Sequence, residues 1–115
     1  MNTLPVRLTH PHAELPTRAH PTDAGLDLAA SETTHIAPGV VTLVPTGIAV
    51  AIPEGHVGIL AARSSLAVKK SMTLANGVGI IDSDYRGEIK VPIIPLDGCH
   101  NLIQACLLYT SDAAD

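Results

Sequence analysis

Proline and glycine interrupt this chain so regularly that no long helix fits into it. Nine Pro and nine Gly are spread over 115 residues, and the apolar runs between them are short. Proline inside a helix removes a hydrogen bond and clashes with the preceding turn, and glycine there costs backbone entropy. Short aliphatic runs bounded by such breakers suit strands joined by turns. The apolar residues are mainly Ala, Val, Ile and Leu, with no Phe or Trp and two Tyr. The expected fold is all-β, a sandwich or barrel-like domain with one short helix. A chain of this length supports one hydrophobic core and one domain.

The segments follow from the same signals. A first strand is expected at Leu4 to Leu8. In Leu26-Asp27-Leu28 the leucines share one face and the acid takes the other. Ala37 to Gly39 reads as a turn, Val40 to Val44 as a strand, Pro45 to Gly47 as a bend and Ile48 to Ile52 as a second strand. Pro53 to His56 is a turn and Val57 to Ala62 a buried strand. Arg63 to Lys70 is the one helix, capped by Ser64 or Ser65, with Lys69 and Lys70 at its favourable C-terminal end. Met72 to Leu74 leads into an expected hairpin over Asn76 to Glu88. Ile89 to Ile94 is a strand that Pro92 breaks, which points to an edge or a bulge.

Charge and composition exclude several function classes. The net charge is −4, with no basic stripe and no aromatics spaced to stack bases, so general nucleic-acid binding is not expected. No apolar run reaches the length of a membrane span and the N-terminus carries no charged-then-apolar signal, which makes the cytoplasm the default compartment. Cys99 and Cys106 make neither a disulfide framework nor a metal cluster. His10 and His12 stand close, but without acids or cysteines at ligand spacing, and read as solvated loop histidines.

Asn76-Gly-Val-Gly-Ile-Ile-Asp-Ser-Asp-Tyr-Arg-Gly-Glu88 is the most informative stretch. It sets Asp82 and Asp84 two apart after an apolar run, with an aromatic and an Arg-Gly turn behind them. On an extended strand both carboxylates would share a face, and like charges that close raise each other's pKa unless a cation or hydrogen bonds compensate. Such a pair suits a site handling metal, water or phosphate. Taken without context, it also suits a hairpin tip with solvated acids.

Three segments in order, Ala24-Gly-Leu-Asp-Leu-Ala-Ala30, Arg63-Ser-Ser-Leu-Ala67 and Asn76 to Glu88, resemble the first three motifs of the trimeric dUTP pyrophosphatases (dUTPases). Pro38-Gly39 and Leu43-Val-Pro-Thr-Gly-Ile48 match intervening stretches of that family, and the resemblance runs from about Leu8 to Gln104. It implies a distorted jelly-roll (β-clip) barrel, a homotrimer with sites at subunit interfaces, and Mg²⁺-assisted hydrolysis of dUTP to dUMP and pyrophosphate. It gives Asp82 the role of general base for the water that attacks the α-phosphorus. Asn76 and the backbone of Gly79, Ile80 and Ile81 match the uracil pocket, with Gly77 and Gly79 letting a base come close to the main chain. Tyr85 matches the ring that packs on deoxyribose and leaves no room for a 2′-hydroxyl. Arg63, Ser64 and Ser65 match the phosphate-binding segment, with Ser65 where glycine is common. Asp27 matches the acid near the metal-bound water, so its contact with the metal would be indirect. Lys90 falls where some members contact the nucleotide, and a solvated strand lysine is an equal reading.

Two departures stand out. Of the fourth motif only Asn101-Leu-Ile-Gln104 remains; Gln104 matches a phosphate-contacting glutamine, but the preceding Arg is missing. The fifth motif, a glycine-rich arm with Arg and Phe that closes over the nucleotide, is absent. Without a lid that expels water, this polypeptide is expected to bind dUTP yet turn it over on the order of a hundredfold more slowly than the family. Pyrophosphate release at saturating dUTP and Mg²⁺ checks this, and family-level turnover would refute it. Residues 106–115 fit nothing upstream and resemble one reading frame of a transposon-derived sequencing adapter. The expected organisation is a dUTPase-like domain over residues 1–105 and a non-native tail over 106–115. Resequencing the source locus beyond the codon for Ala105 decides that point.

Other readings remain. dCTP deaminase shares the fold and an Arg-Ser-Ser-Leu segment, but its strand glutamate motif is not evident here; comparing dCTP with dUTP turnover separates the two. A catalytically weak nucleotide-binding or regulatory dUTPase-like protein is the non-enzymatic alternative.

Overall fold

A computed structural model describes residues 3–18, 20–22, 25–98, 101–103 and 108–114. Among the described residues ten strands and one helix follow one another: β1 (Val6–Leu8), β2 (Leu26–Ala29), β3 (Thr34–Ile36), β4 (Thr42–Val50), β5 (Val57–Ala61), α1 (Ser64–Lys70), β6 (Met72–Leu74), β7 (Gly79–Ile81), β8 (Glu88–Pro95), β9 (Asn101–Ile103) and β10 (Leu108–Ala114). One sheet has the order β1-β4-β8-β6, a second β2-β10-β5-β7, and β3 pairs with β9. All the pairs are antiparallel. The all-β expectation with one short helix holds, in a jelly-roll-like arrangement.

The core is aliphatic. Leu28, Ile36, Val44, Ile48, Leu60, Leu66, Met72, Leu74, Val91, Ile93 and Ile103 are almost fully buried. Alternation does the sorting along β8, where Ile89, Val91 and Ile93 point inward and Lys90 stays exposed. With no Phe or Trp to fill the space between layers, the sheets must pack closely. Within the second sheet, Gly58 of β5 stands directly opposite Ile81 of β7, and a Cβ there would lie 3.0 Å from that of Ile81.

Several local expectations give way to long-range pairing. Val40–Val44 and Ile48–Ile52 are not two strands; one strand, β4, runs through Pro45-Thr-Gly47 with a register shift between Pro45 and Ala49. The kink is held by distant partners. Thr46 is buried and its hydroxyl donates to the Ile89 carbonyl at 2.7 Å, while Gly47 N–H donates to the Glu88 carboxylate at 3.1 Å. Nor is Asn76–Glu88 a hairpin, because β7 pairs with β5 while β8 lies between β4 and β6 in the other sheet. Pro92 does not break β8. It stands opposite Ala75, whose N–H donates to the Pro92 carbonyl at 2.8 Å, just past the end of β6. The donor that proline lacks is therefore missing where that ladder stops.

The helix start also differs. Arg63, not a serine, is the N-cap, with extended backbone and no side-chain capping bond. Lys69 and Lys70 occupy the last turn, and Ser71 ends the helix in the left-handed region (φ 53°). Beyond Asp97 the chain continues to pair: β9 lies against β3, and the backbone of 108–114 runs between β2 and β5. The boundary at 105/106 falls outside the described residues, as do Cys99, His100, Gln104 and Cys106.

Candidate active site

The third motif builds one continuous edge. β7 is the outer strand of its sheet among the described residues, so one side of its backbone has no strand partner. Gly79, Ile80 and Ile81 stand opposite Leu60, Ile59 and Gly58 of β5. Gly79 is buried; a Cβ there would meet Leu60 Cβ at 3.2 Å and Asn76 Nδ2 at 3.7 Å, so the Asn76 amide lies over this glycine. Asn76 itself sits in a turn, its carbonyl accepting from Val78 N–H at 2.8 Å and Gly77 taking φ 73°.

The strand ends at Ile81, and the next four residues are a turn in which Tyr85 N–H donates to the Asp82 carbonyl at 3.1 Å. The expectation that Asp82 and Asp84 share a strand face is therefore corrected: the chain leaves extended geometry between them. Asp84 lines a cleft of about 660 Å³ with Pro53, Glu54, Ser83 and Arg86, and Asp82 is not part of that wall. Asp82 is exposed at the outer end of β7. Arg86 braces the turn through Nη1, which donates to the carbonyls of Ser83 at 2.6 Å and Tyr85 at 3.2 Å. Tyr85 is 45% exposed and its hydroxyl donates to the Glu88 carbonyl at 2.8 Å. The bracing by Arg86 and Glu88 was not foreseen from sequence, although their spacing behind Tyr85 carried the signal.

The other expected site residues lie elsewhere. Arg63, Ser64 and Ser65 follow β5 at the start of α1. Because β5 and β7 are antiparallel, Arg63 leaves β5 at the end near Gly79, whereas Asp82 lies beyond Ile81 at the opposite end. The four steps of β5 alone span about 13 Å at roughly 3.3 Å per residue, with Arg63 beyond one end and Asp82 beyond the other. Asp27, half-buried on β2, exchanges two backbone hydrogen bonds with Thr17. Through β10 it is in line with Ala61, so it shares the Arg63 end of the sheet. Lys90 is on the other sheet, in a cleft of about 330 Å³ with His10, Ser31, Glu32 and Glu88. One chain thus carries Asn76, Gly79 to Asp82 and Tyr85 along one segment, groups Asp27 with Arg63 to Ser65 at the Gly79 end, and leaves Asp82 at the opposite end.

The dUTPase family model matches residues 11–104, a span that takes in all three motif segments. The chain belongs to the dUTPase family. The deoxyuridine 5′-triphosphate nucleotidohydrolase of Corynebacterium jeikeium is 53% identical over 98 residues, which is 84% of this chain and 63% of that protein. Its counterpart in Nocardia farcinica is 48% identical over 97 residues, 84% of this chain and 59% of that one. The chain therefore spans about three-fifths of the length of these dUTPase relatives. Among solved structures, the dUTPase of Streptococcus mutans superposes with a TM-score of 0.86 at 30% identity, covering 94% of this chain and 92% of that one. A mutant dUTPase of phage phi11 of S. aureus, studied for the coordination of a structural Mg(II) ion, gives 0.89 at 28% identity, covering 98% and 90%. Residues 105–115 lie outside the dUTPase match. Among the described residues no helix is long and apolar enough to cross a membrane.

Proposed function

We propose that this chain is the nucleotide-binding body of a cytoplasmic, homotrimeric enzyme that hydrolyses dUTP to dUMP and pyrophosphate. The observation that carries this reading is the edge from Asn76 to Tyr85, where a strand with a free backbone side runs directly into an exposed carboxylate and a pinned aromatic ring. Main-chain donors and acceptors of Gly79 to Ile81 suit the uracil edge, as one more rung on β7, with the Asn76 amide beside it. The Tyr85 ring takes the flat face of deoxyribose. Asp82, next along the chain, accepts a proton from water as the water oxygen bonds to the α-phosphorus. The bond from that phosphorus to the bridging oxygen breaks, and pyrophosphate leaves with the electron pair.

The phosphates need partners that the same chain does not bring to Asp82. Arg63, Ser64 and Ser65 offer a guanidinium and two hydroxyls, a donor set suited to phosphate oxygens, but at the other end of the β5–β7 pair. A site that uses both groups is completed by a second copy, which is the physical support for a trimer with shared sites. Exposed Val40, Val41 and Leu43 offer apolar surface for contact between copies. Gln104 joins the phosphate-binding set by its place in the fourth motif. Lys90 stands in a separate cleft, and its contact with nucleotide depends on how the copies meet.

Mg²⁺ fits this donor set. It favours one or two carboxylates with waters and substrate phosphates over an all-protein cage. Among the described residues no cluster of three or more His, Cys, Asp or Glu forms such a cage, and Asp27 lies with the phosphate-binding group. Asp27 would hold a water of the ion carried by the triphosphate, and the chemistry the ion supplies when bound is neutralisation of charge on the phosphates. We further propose that residues 106–115 are foreign to the native gene, supported by a family match that stops at 104, with the backbone of 108–114 occupying a strand position between β2 and β5.

Two measurements test the reading. Light scattering should give three copies of 11.9 kDa, about 36 kDa. Pyrophosphate release should require Mg²⁺ and favour dUTP over dCTP without ammonia production. A monomer that binds no deoxyuridine nucleotide would contradict both halves of it.

A further inference from the structure

Gly87 has no backbone reason to be glycine. Gly39, Gly47, Gly55 and Gly77 take positive φ between 68° and 84°, a region side chains avoid, but Gly87 does not. What surrounds it explains it instead. A Cβ on Gly87 would stand 2.6 Å from the Tyr85 hydroxyl oxygen, 2.8 Å from Cζ and 3.1 Å from Cε1. The tyrosine ring therefore folds back across the chain at this residue, in space that any side chain would take. That fold brings the hydroxyl to the Glu88 carbonyl at 2.8 Å. The acceptor is itself anchored, because the Glu88 carboxylate accepts from Gly47 N–H at 3.1 Å in the neighbouring strand. Arg86 closes the other side of the turn on the carbonyls of Ser83 and Tyr85.

We infer that Gly87 is a specificity-determining positioning residue: its missing side chain lets the Tyr85 ring lie back and dock on Glu88, which fixes the depth of the wall that admits deoxyribose and excludes ribose. This rests on the dUTP reading above. The obstructed atoms belong to the far end of a half-exposed side chain, so an added methyl lifts the ring and leaves the backbone in place. A lifted ring no longer presents a fixed face at the depth that leaves no room for a 2′-hydroxyl, so the deoxy ligand loses its advantage.

The test is calorimetric affinity for α,β-imido-dUTP and α,β-imido-UTP, with Mg²⁺, on the full chain and on Gly87→Ala, Tyr85→Ala and the double variant. Gly87→Ala should lower the deoxy-to-ribo affinity ratio by about tenfold or more. In the Tyr85→Ala background the same change should move the ratio by less than about twofold, since a residue acting through the ring has nothing left to act on. Should Gly87→Ala alone fail to fold, removal of the ring in the double variant should restore folding. An unchanged ratio in Gly87→Ala, an equal fall in both backgrounds, or a double variant that stays unfolded overturns the inference. A ratio that survives Tyr85→Ala refutes the tyrosine as the sugar wall and this inference with it. No binding of either analogue by the unmodified chain overturns the dUTP reading itself, a result distinct from the others.

Discussion

Replacing Asp82 with asparagine should lower dUTP turnover by about 10²- to 10⁴-fold while leaving affinity for α,β-imido-dUTP within about tenfold. Asparagine has the shape of aspartate and still hydrogen-bonds a water, but it cannot take the proton that must leave as the oxygen attacks. The fold should not suffer, because the turn is closed by the Asp82 carbonyl, which accepts Tyr85 N–H, and not by its side chain. Asp84→Asn is the informative contrast. Asp84 lines the cleft shared with Pro53, Glu54 and Arg86, a wall that does not include Asp82, and its loss should leave turnover near that of the unmodified chain. Pyrophosphate release and calorimetry on both variants check this. Comparable losses at the two positions would show that general negative charge, and not one placed base, is what the reaction needs.

Gly47→Ala should be among the most destabilising single changes available to this chain. Gly47 takes φ 68°, and its missing Cβ would lie 2.6 Å from Ala13 Cβ, 2.9 Å from His10 Cβ and 3.3 Å from Ser31 Cβ. Those atoms are fixed to the backbone and cannot swing aside. Left-handed strain of about 1–2 kcal/mol adds to overpacking of about 1–3 kcal/mol, for a total of about 3 kcal/mol. For a domain of this size the melting temperature should fall by roughly 10–20 °C. The kink at Gly47 also accepts from Thr9 N–H at 2.7 Å and donates to Glu88, so β1, β4 and the segment carrying Tyr85 are tied at one point. Gly55→Ala serves as the comparison: its φ of 84° carries similar strain, but nothing lies within 4 Å of the added methyl. Calorimetric melting of the two separates strain from collision, and a Gly47→Ala loss no larger than that of Gly55→Ala would remove the packing half of the argument.

Local patterns in the sequence carried what local physics decides. The turn closed by His56 N–H on the Pro53 carbonyl at 3.1 Å and the short helix ending in Lys69 and Lys70 were both legible, since each depends on residues a few positions apart. What was not legible depends on distant partners. Pro45-Thr-Gly47 reads as a break, yet Thr46 and Gly47 find hydrogen bonds on Ile89 and Glu88, 43 and 41 residues away, and the strand continues. Asn76 to Glu88 reads as a hairpin because its two apolar runs are neighbours in sequence, but neither run can reveal that its partners are β5 on one side and β4 with β6 on the other. The same applies to the candidate site. The side proposed for uracil and sugar is one segment and can be read along the chain. The separation of Asp82 from Arg63 comes from the antiparallel register of β5 and β7, which no motif records.

The central claim is that Asp82 of one copy works with Arg63 of another. It is tested by mixing Asp82→Asn and Arg63→Ala chains after each has been shown to be inactive as a pure trimer. Random reassembly of equal amounts should place an intact Asp82 and an intact Arg63 together at about one quarter of the shared sites, returning about that fraction of the unmodified chain's turnover. Turnover that stays at the level of the separate variants would mean that both residues must come from the same chain, and the shared site would be wrong.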